Sequence, residues 1–228
     1  MEKITNKEII DVVKFSKDKL VFAERNPLAD NIQYNANYYI INFSTGEKEV
    51  VTKKAYMLKK FGAAYEKICG KISDYIQCQA MILNDKSVLI VFPNGQAGLF
   101  DAQGEMLWNK DFKFNEKEVF SLAQDEDAFW CVCRDENCVM RYSTDNFSID
   151  IRIGGKDNSS FNAPHFASAD DEYVYICCGD NKVRKIDKQT LIVSDVETNI
   201  PSLQRFYRFR DYSIFCCSDG MYFEEEEK

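Results

Sequence analysis

The stretch Asp171-Glu-Tyr-Val-Tyr-Ile-Cys-Cys-Gly-Asp-Asn-Lys-Val-Arg-Lys-Ile-Asp-Lys-Gln-Thr190 reads as turn, non-polar strand, Gly/Asn turn, alternating strand and Asp turn. Runs rich in Val, Ile and Tyr between Gly, Asn and Asp clusters mark consecutive antiparallel strands. Worn copies of this unit fill the chain. They run from Val12 to Thr52, Ala80 to Phe112, Phe120 to Ile153, Phe166 to Thr198 and Phe206 to Lys228, the last cut short. Their first turns hold Asp18, Asp85, Asp127, Asp171 and Asp211, at intervals of 67, 42, 44 and 40 residues. The first interval is longer because it contains two insertions, and without them it falls to the common period.

A repeat of about 40–45 residues with four strands per unit is the sequence mark of a β-propeller blade. The chain therefore reads as a single all-β domain over residues 1–228, a five-bladed propeller of four-stranded antiparallel blades. Pairing between the N- and C-terminal segments closes the ring and removes an exposed sheet edge. Ile9 to Phe15 is expected to pair with the sheet formed by residues 206–225. Residues 1–11 are open to two readings. Thr5-Asn6-Lys7-Glu8 fits a helix capping box, whereas Ile9, Ile10, Val12 and Val13 are β-branched and fit a strand equally well.

The two insertions have different characters. Arg25 to Asn37 carries Pro and several Asn and reads as an extended hairpin loop, either insertion drift or a functional loop. Across 53–69 Met57, Phe61, Ala64, Tyr65 and Ile68 recur at helical spacing with lysines between them, which predicts one inserted helix.

Within the second copy, Phe100-Asp-Ala-Gln-Gly-Glu105 followed by Leu107-Trp108 resembles the PQQ-like propeller repeat, and Ile186-Asp-Lys-Gln-Thr190 resembles it less fully. The resemblance implies the propeller fold over most of the chain. It implies no cofactor and no site residue here, because the quinone-binding members use larger rings and ligands that match no position of this sequence.

The net charge of -8 and a pI near 4.9 oppose binding of a polyanion, so nucleic acid is not expected as a partner. No non-polar run reaches the length of about 18 residues that spans a bilayer. Met1 to Phe15 interleaves charges with non-polar residues, unlike a secretion signal. The nine cysteines are odd in number, and most lie in non-polar strand runs, so they read as reduced core residues of a cytoplasmic protein.

Chemistry is thinly encoded. A single histidine, His165, excludes a multi-histidine metal centre and a histidine triad built with a second one; it reads as a packed strand residue. Cys131 and Cys133, Cys177 and Cys178, and Cys216 and Cys217 occupy the same strand of successive units. Neighbouring strand residues point to opposite faces, however, and zinc-type spacing is missing. Asp18, Asp85, Asp127, Asp171 and Asp211, with Glu126, Asp170 and Glu172 nearby, could ring one mouth of the axial channel and hold a hard cation such as calcium, although Asp is also favoured in tight turns for local hydrogen bonding. The stretch 53–71 holds six Lys and one Glu, and Lys53, Lys54, Lys59, Lys60 and Phe61 form the candidate surface for an acidic partner. The same lysines could equally be the solvated side of a helix docked by Phe61, Tyr65 and Ile68. Gly154 to Ser160 lacks a following helix and reads as a connector, and Glu224 to Glu227 as a solvated end. The expected function is that of a non-catalytic, monomeric interaction or scaffold module with an unknown protein partner and no cofactor. The alternative is a small-ligand or cation-binding propeller that uses the channel mouth.

Overall fold

Non-polar strand runs that are buried throughout, such as Val88–Val91 and Ala128–Cys133, need a packing layer on both faces. The computed structural model, which describes residues 1–16, 18–26, 36–72, 75–156, 160–198, 200–209 and 211–225, supplies those layers by setting five antiparallel sheets around an axis. Most of the long insertion (27–35), part of the 154–160 connector (157–159) and the last residues of the acidic end (226–228) lie outside the described residues.

Blade 1 runs Ile9–Lys14, Lys19–Arg25, Ala36–Asn42 and Lys48–Val50. Blade 2 is built from Gln79–Ile82, Val88–Val91, Gln96–Phe100 and Met106–Asp111. Blade 3 comprises Phe120–Asp125, Ala128–Cys133, Cys138–Ser143 and Ile149–Gly154. Blade 4 consists of Pro164–Ala169, Tyr173–Cys178, Val183–Asp187 and Val193–Val196. Blade 5 takes Leu203–Phe209, Tyr212–Cys217 and Gly220–Glu225, and its fourth strand is Glu2–Thr5. A two-stranded ribbon, Lys113–Phe114 with Lys117–Glu118, joins blades 2 and 3.

The five-bladed propeller read from the spacing is the observed fold. One detail of its closure differs. Ile9–Lys14 does not join the last sheet; it is the innermost strand of blade 1, and the closing strand is Glu2–Thr5, with Glu2 opposite Phe223 and Lys3 opposite Tyr222. The reason lies in blade architecture. Each first-turn aspartate follows an inner strand, so Asp18 requires a strand before it, and only Ile9–Lys14 can provide one.

The core is divided into five layers, one in each gap between successive blades. The gap between blades 1 and 2 is filled differently from the rest. There the inserted helix, α1 (Lys53–Phe61), turns through one tighter turn (Gly62–Ala64) into α2 (Tyr65–Lys71). Thr52 caps α1 by accepting the Ala55 N–H, and Tyr56, Met57, Phe61 and Ile68 enter the core layer. The helical spacing over 53–69 thus marks a docked element.

In blades 1, 3, 4 and 5 the ladder between the first two strands shifts register near its start, at Ile10, Ser121–Leu122, His165 and Gln204. Such bulges bend and twist a strand locally, which suits strands that must crowd around an axis.

Ring closure depends on one close approach. Gly220 sits at φ +143°, and a Cβ there would lie 2.0 Å from the carbonyl oxygen of Thr5. Gly220→Ala should therefore destabilise by more than the roughly 1–3 kcal/mol of backbone strain alone. Gly46→Ala, at φ +74° with open space around it, should show only the strain. Comparing urea midpoints of the two variants checks this.

Candidate functional site

The axis is bounded by the five inner strands, and polar groups stitch each to the next. Gln79 Oε1 of blade 2 accepts the Leu122 N–H at 2.5 Å and the Ser121 hydroxyl at 3.1 Å. Ser121, in a left-handed conformation at φ 72°, accepts the Ala167 N–H of blade 4 at 2.9 Å. Ser168 donates to Phe206 O of blade 5 at 2.6 Å, and Arg205 Nη2 donates to Ile10 O of blade 1 at 2.7 Å.

Between blades 1 and 2 the link runs through the helix. Lys60 Nζ donates to Asp11 Oδ2 at 2.7 Å and to Ile76 O at 3.1 Å, and the Tyr56 hydroxyl donates to the same carboxylate oxygen at 2.5 Å. Burial, and then the Asp11 charge, raise the Tyr56 hydroxyl well above its usual pKa, so it stays a donor. No catalytic motif marks these stitching residues in the sequence. The available signal was a polar residue inside an otherwise non-polar inner strand, as with Asp11 between Ile10 and Val12.

All inner strands run in the same direction, so their C-terminal ends meet at one mouth. A cavity of about 820 Å³ opens there. Its non-polar lining includes Met81, Leu122, Phe166 and Tyr207. Lys14 and Lys59 stand on the side of blade 1 and α1, with Glu126 and Asp171 in the turns of blades 3 and 4. Asp125 on the same rim is engaged: Lys188 lies 2.7 Å away and the Trp130 indole N–H donates to it at 2.8 Å. Burial opposes its ionisation, but these two partners and Arg141 outweigh it and hold its carboxyl below the usual range.

The turn aspartates occupy equivalent first turns but do not converge. Of the five, only Asp171 lines the cavity. Asp85 accepts from its own turn, from the Ser87 N–H and hydroxyl. Asp127 faces Arg141 at 3.5 Å, and Asp18 receives the Phe43 N–H on its backbone carbonyl. Asp211 lies in the equivalent turn of blade 5. Among the described residues no three His, Cys, Asp or Glu side chains are grouped to hold a metal ion.

The helix residues split in two. Lys60 is 4% exposed and Phe61 fully buried, so the surface read from the sequence is corrected for these two: they dock the helix and are not available to a partner. Lys53 and Lys54 are exposed, and Lys59 lies 5.0 Å over the Phe15 ring.

Eight of the nine thiols are buried, and Cys69 and His165 are half-buried. All nine cysteines are free. Cys177 and Cys178 fall into the two different layers on either side of blade 4, and Cys216 and Cys217 do likewise in blade 5. Cys131 and Cys133 correct the expectation: being two apart in their strand, they share one layer. Burial pushes the Cys216 thiol up to about 12. His165 sits at the blade 4 bulge, and burial lowers its pKa, keeping it neutral. The residues that resemble the PQQ-like repeat form a tight turn, in which Asp101 accepts the N–H groups of Gln103 and Glu105.

No family model matches the chain, and no curated protein is similar to it. Solved structures are. U3-55K aligns over 98% of this chain at 13% identity with a TM-score of 0.54, and this chain spans 63% of that one. The WD40 propeller domain of Doa1 aligns over 92% at 10% identity and a TM-score of 0.52, with 60% of its length covered. The computationally designed Ika8 protein aligns over 94% at 11% identity and a TM-score of 0.50, with 58% covered. The chain thus spans about six-tenths of the length of these structures, and at such identities the likeness shows the propeller fold alone. No helix among the described residues is long and apolar enough to cross a membrane.

Two outcomes are expected. Lys60→Met strands the Asp11 carboxylate in the interior and should cost about 3–5 kcal/mol; adding Asp11→Leu should recover part of that loss in chemical denaturation. Asp125 has a depressed folded pKa, so its stabilising contribution is complete above the unfolded value of about 3.9 and is lost as pH falls through the lower folded value. Asp125→Asn should be less stable at neutral pH and show a shallower acid limb when unfolding free energy is measured against pH.

Proposed function

We propose that the chain is a non-catalytic protein-interaction module, monomeric and cytoplasmic, whose partner docks at the corner where α1 meets the channel mouth. One observation carries this reading. Phe15, which lines the mouth, and Leu58 on α1 remain 42% and 41% exposed. On the same helix Lys53, Lys54 and Lys59 form no ion pair with any described residue, though Lys53 and Lys59 lie over the Tyr75 and Phe15 rings. Large non-polar side chains bordered by unpaired cations suit a partner with non-polar anchors and acidic flanks. The likeness to WD40 propellers supports a scaffold role at the level of fold. The PQQ-like wording of blade 2 is compatible with it, since that blade type also serves in scaffolds.

The test is affinity capture from native lysate, followed by measurement of the captured partner's affinity for the purified chain. Phe15→Ser/Leu58→Ser should weaken binding roughly tenfold or more, with an unchanged urea midpoint. Leu107→Ser, on the exposed outer strand of blade 2, should leave binding intact. Retention of full affinity by the Phe15→Ser/Leu58→Ser variant would remove the proposed surface.

A further inference from the structure

Of the charged side chains that line the cavity at the channel mouth, Asp11 pairs with Lys60 and Asp125 with Lys188, while Asp170 and Arg208 are held by hydrogen bonds with Tyr175 and Ser213. The other four, Lys14, Lys59, Glu126 and Asp171, are sorted by sign. In a ring of five blades, the junction of blades 3 and 4 lies across the axis from blade 1. Lys14 and Lys59 belong to blade 1 and the helix beside it; Glu126 and Asp171 belong to the turns of blades 3 and 4. The two pairs therefore face each other across the opening.

Neither pair is neutralised. None of the four forms an ion pair with a described residue, in contrast with Asp125 and Lys188 on the same rim, which pair at 2.7 Å. Each lysine rests against an aromatic ring instead: Lys14 lies 5.4 Å from the Phe209 centroid and Lys59 5.0 Å from that of Phe15. Cation–π contacts position an ammonium without cancelling its charge, so both remain able to take an anion. The cavity between the pairs, at about 820 Å³, has the size of a small-molecule site. Its non-polar lining, with Leu122, Phe166 and Tyr207, would cover an uncharged middle.

We infer that this cavity binds a small zwitterion: a molecule with an anionic group at one end, an ammonium at the other, and an aliphatic middle. The anionic end takes Lys14 and Lys59, the cationic end takes Glu126 and Asp171, and the middle lies on the non-polar lining. A ligand of a single charge satisfies one rim and leaves the other exposed to repulsion or unchanged. Discrimination comes from engaging both at once. The inference is independent of the protein-partner surface at Phe15 and Leu58, and either can fail alone.

The experiment is titration calorimetry of the intact chain with the ω-amino acids glycine, γ-aminobutyrate and ε-aminocaproate, using caproate and hexylamine as singly charged controls at matched ionic strength. Saturable binding is expected for a longer ω-amino acid, with glycine and both controls at least about tenfold weaker. Glu126→Gln/Asp171→Asn should bring the favoured ω-amino acid down to the level of caproate. Lys14→Met/Lys59→Met should bring it down to the level of hexylamine. All four replaced side chains stand at the mouth outside the core layers, so unchanged urea midpoints identify folded variants. The inference is overturned if no ω-amino acid binds at millimolar concentration, if the singly charged controls bind equally well, or if neither folded variant loses affinity.

Discussion

Closing five sheets around an axis requires every inner strand to meet two neighbours, and each meeting brings polar backbone groups together at the wall of the channel. The polar stitches around the axis answer that requirement. Gln79, Ser121, Ser168 and Arg205 each place a side-chain group on the backbone of the next blade. A buried backbone group left without such a partner costs about as much as a lost hydrogen bond. The stitches therefore fix the order and height of the blades as well as holding them.

The fifth meeting is made by a helix, and this asymmetry shapes the channel mouth. With α1 wedged against the inner strands of blades 1 and 2, the Asp11 carboxylate can be buried only because Lys60 and Tyr56 reach it from the helix. A buried ion pair contributes little net stability relative to a non-polar replacement. What it does supply here is position: the Lys60 contacts to Asp11 and to Ile76 O fix the helix along the axis. The neighbouring Lys59 is thereby presented at the mouth.

The repeat was legible because hairpin chemistry is local. Asp171, Asn181 and Asp187 announce their turns whatever surrounds them, and the aspartate spacing measures the blade directly. The helix was legible for the same reason, through the recurrence of Met57, Phe61 and Ile68. Long-range facts were less visible. Glu2–Thr5 is a short, polar strand whose place is decided by the free edge of Gly220–Glu225, 215 positions away in sequence terms from Thr5 to Gly220, and nothing in its own composition says so. Lys60 looked like its neighbours Lys54 and Lys59; only the position of Asp11 on another element separates the buried lysine from the exposed ones. The charges at the mouth were seen in part. The turn positions alone place Asp171 and Glu126 at one mouth; that they stand opposite Lys14 and Lys59 depends on which blades face each other across the ring.

The alternation of side chains along the strands, together with Cys78 just ahead of the first strand of blade 2, has sent a cysteine into every one of the five inter-blade layers. Cys78 lies between blades 1 and 2, Cys131 between 2 and 3, Cys178 between 3 and 4, Cys177 between 4 and 5, and Cys216 between 5 and 1. Each thiol is shut away from solvent and becomes reachable only when its own gap parts. Cooperative units of a protein open with different free energies. The order in which these sulfurs yield to an alkylating reagent would therefore rank the five seams of the ring by strength, with the molecule carrying its own set of gauges.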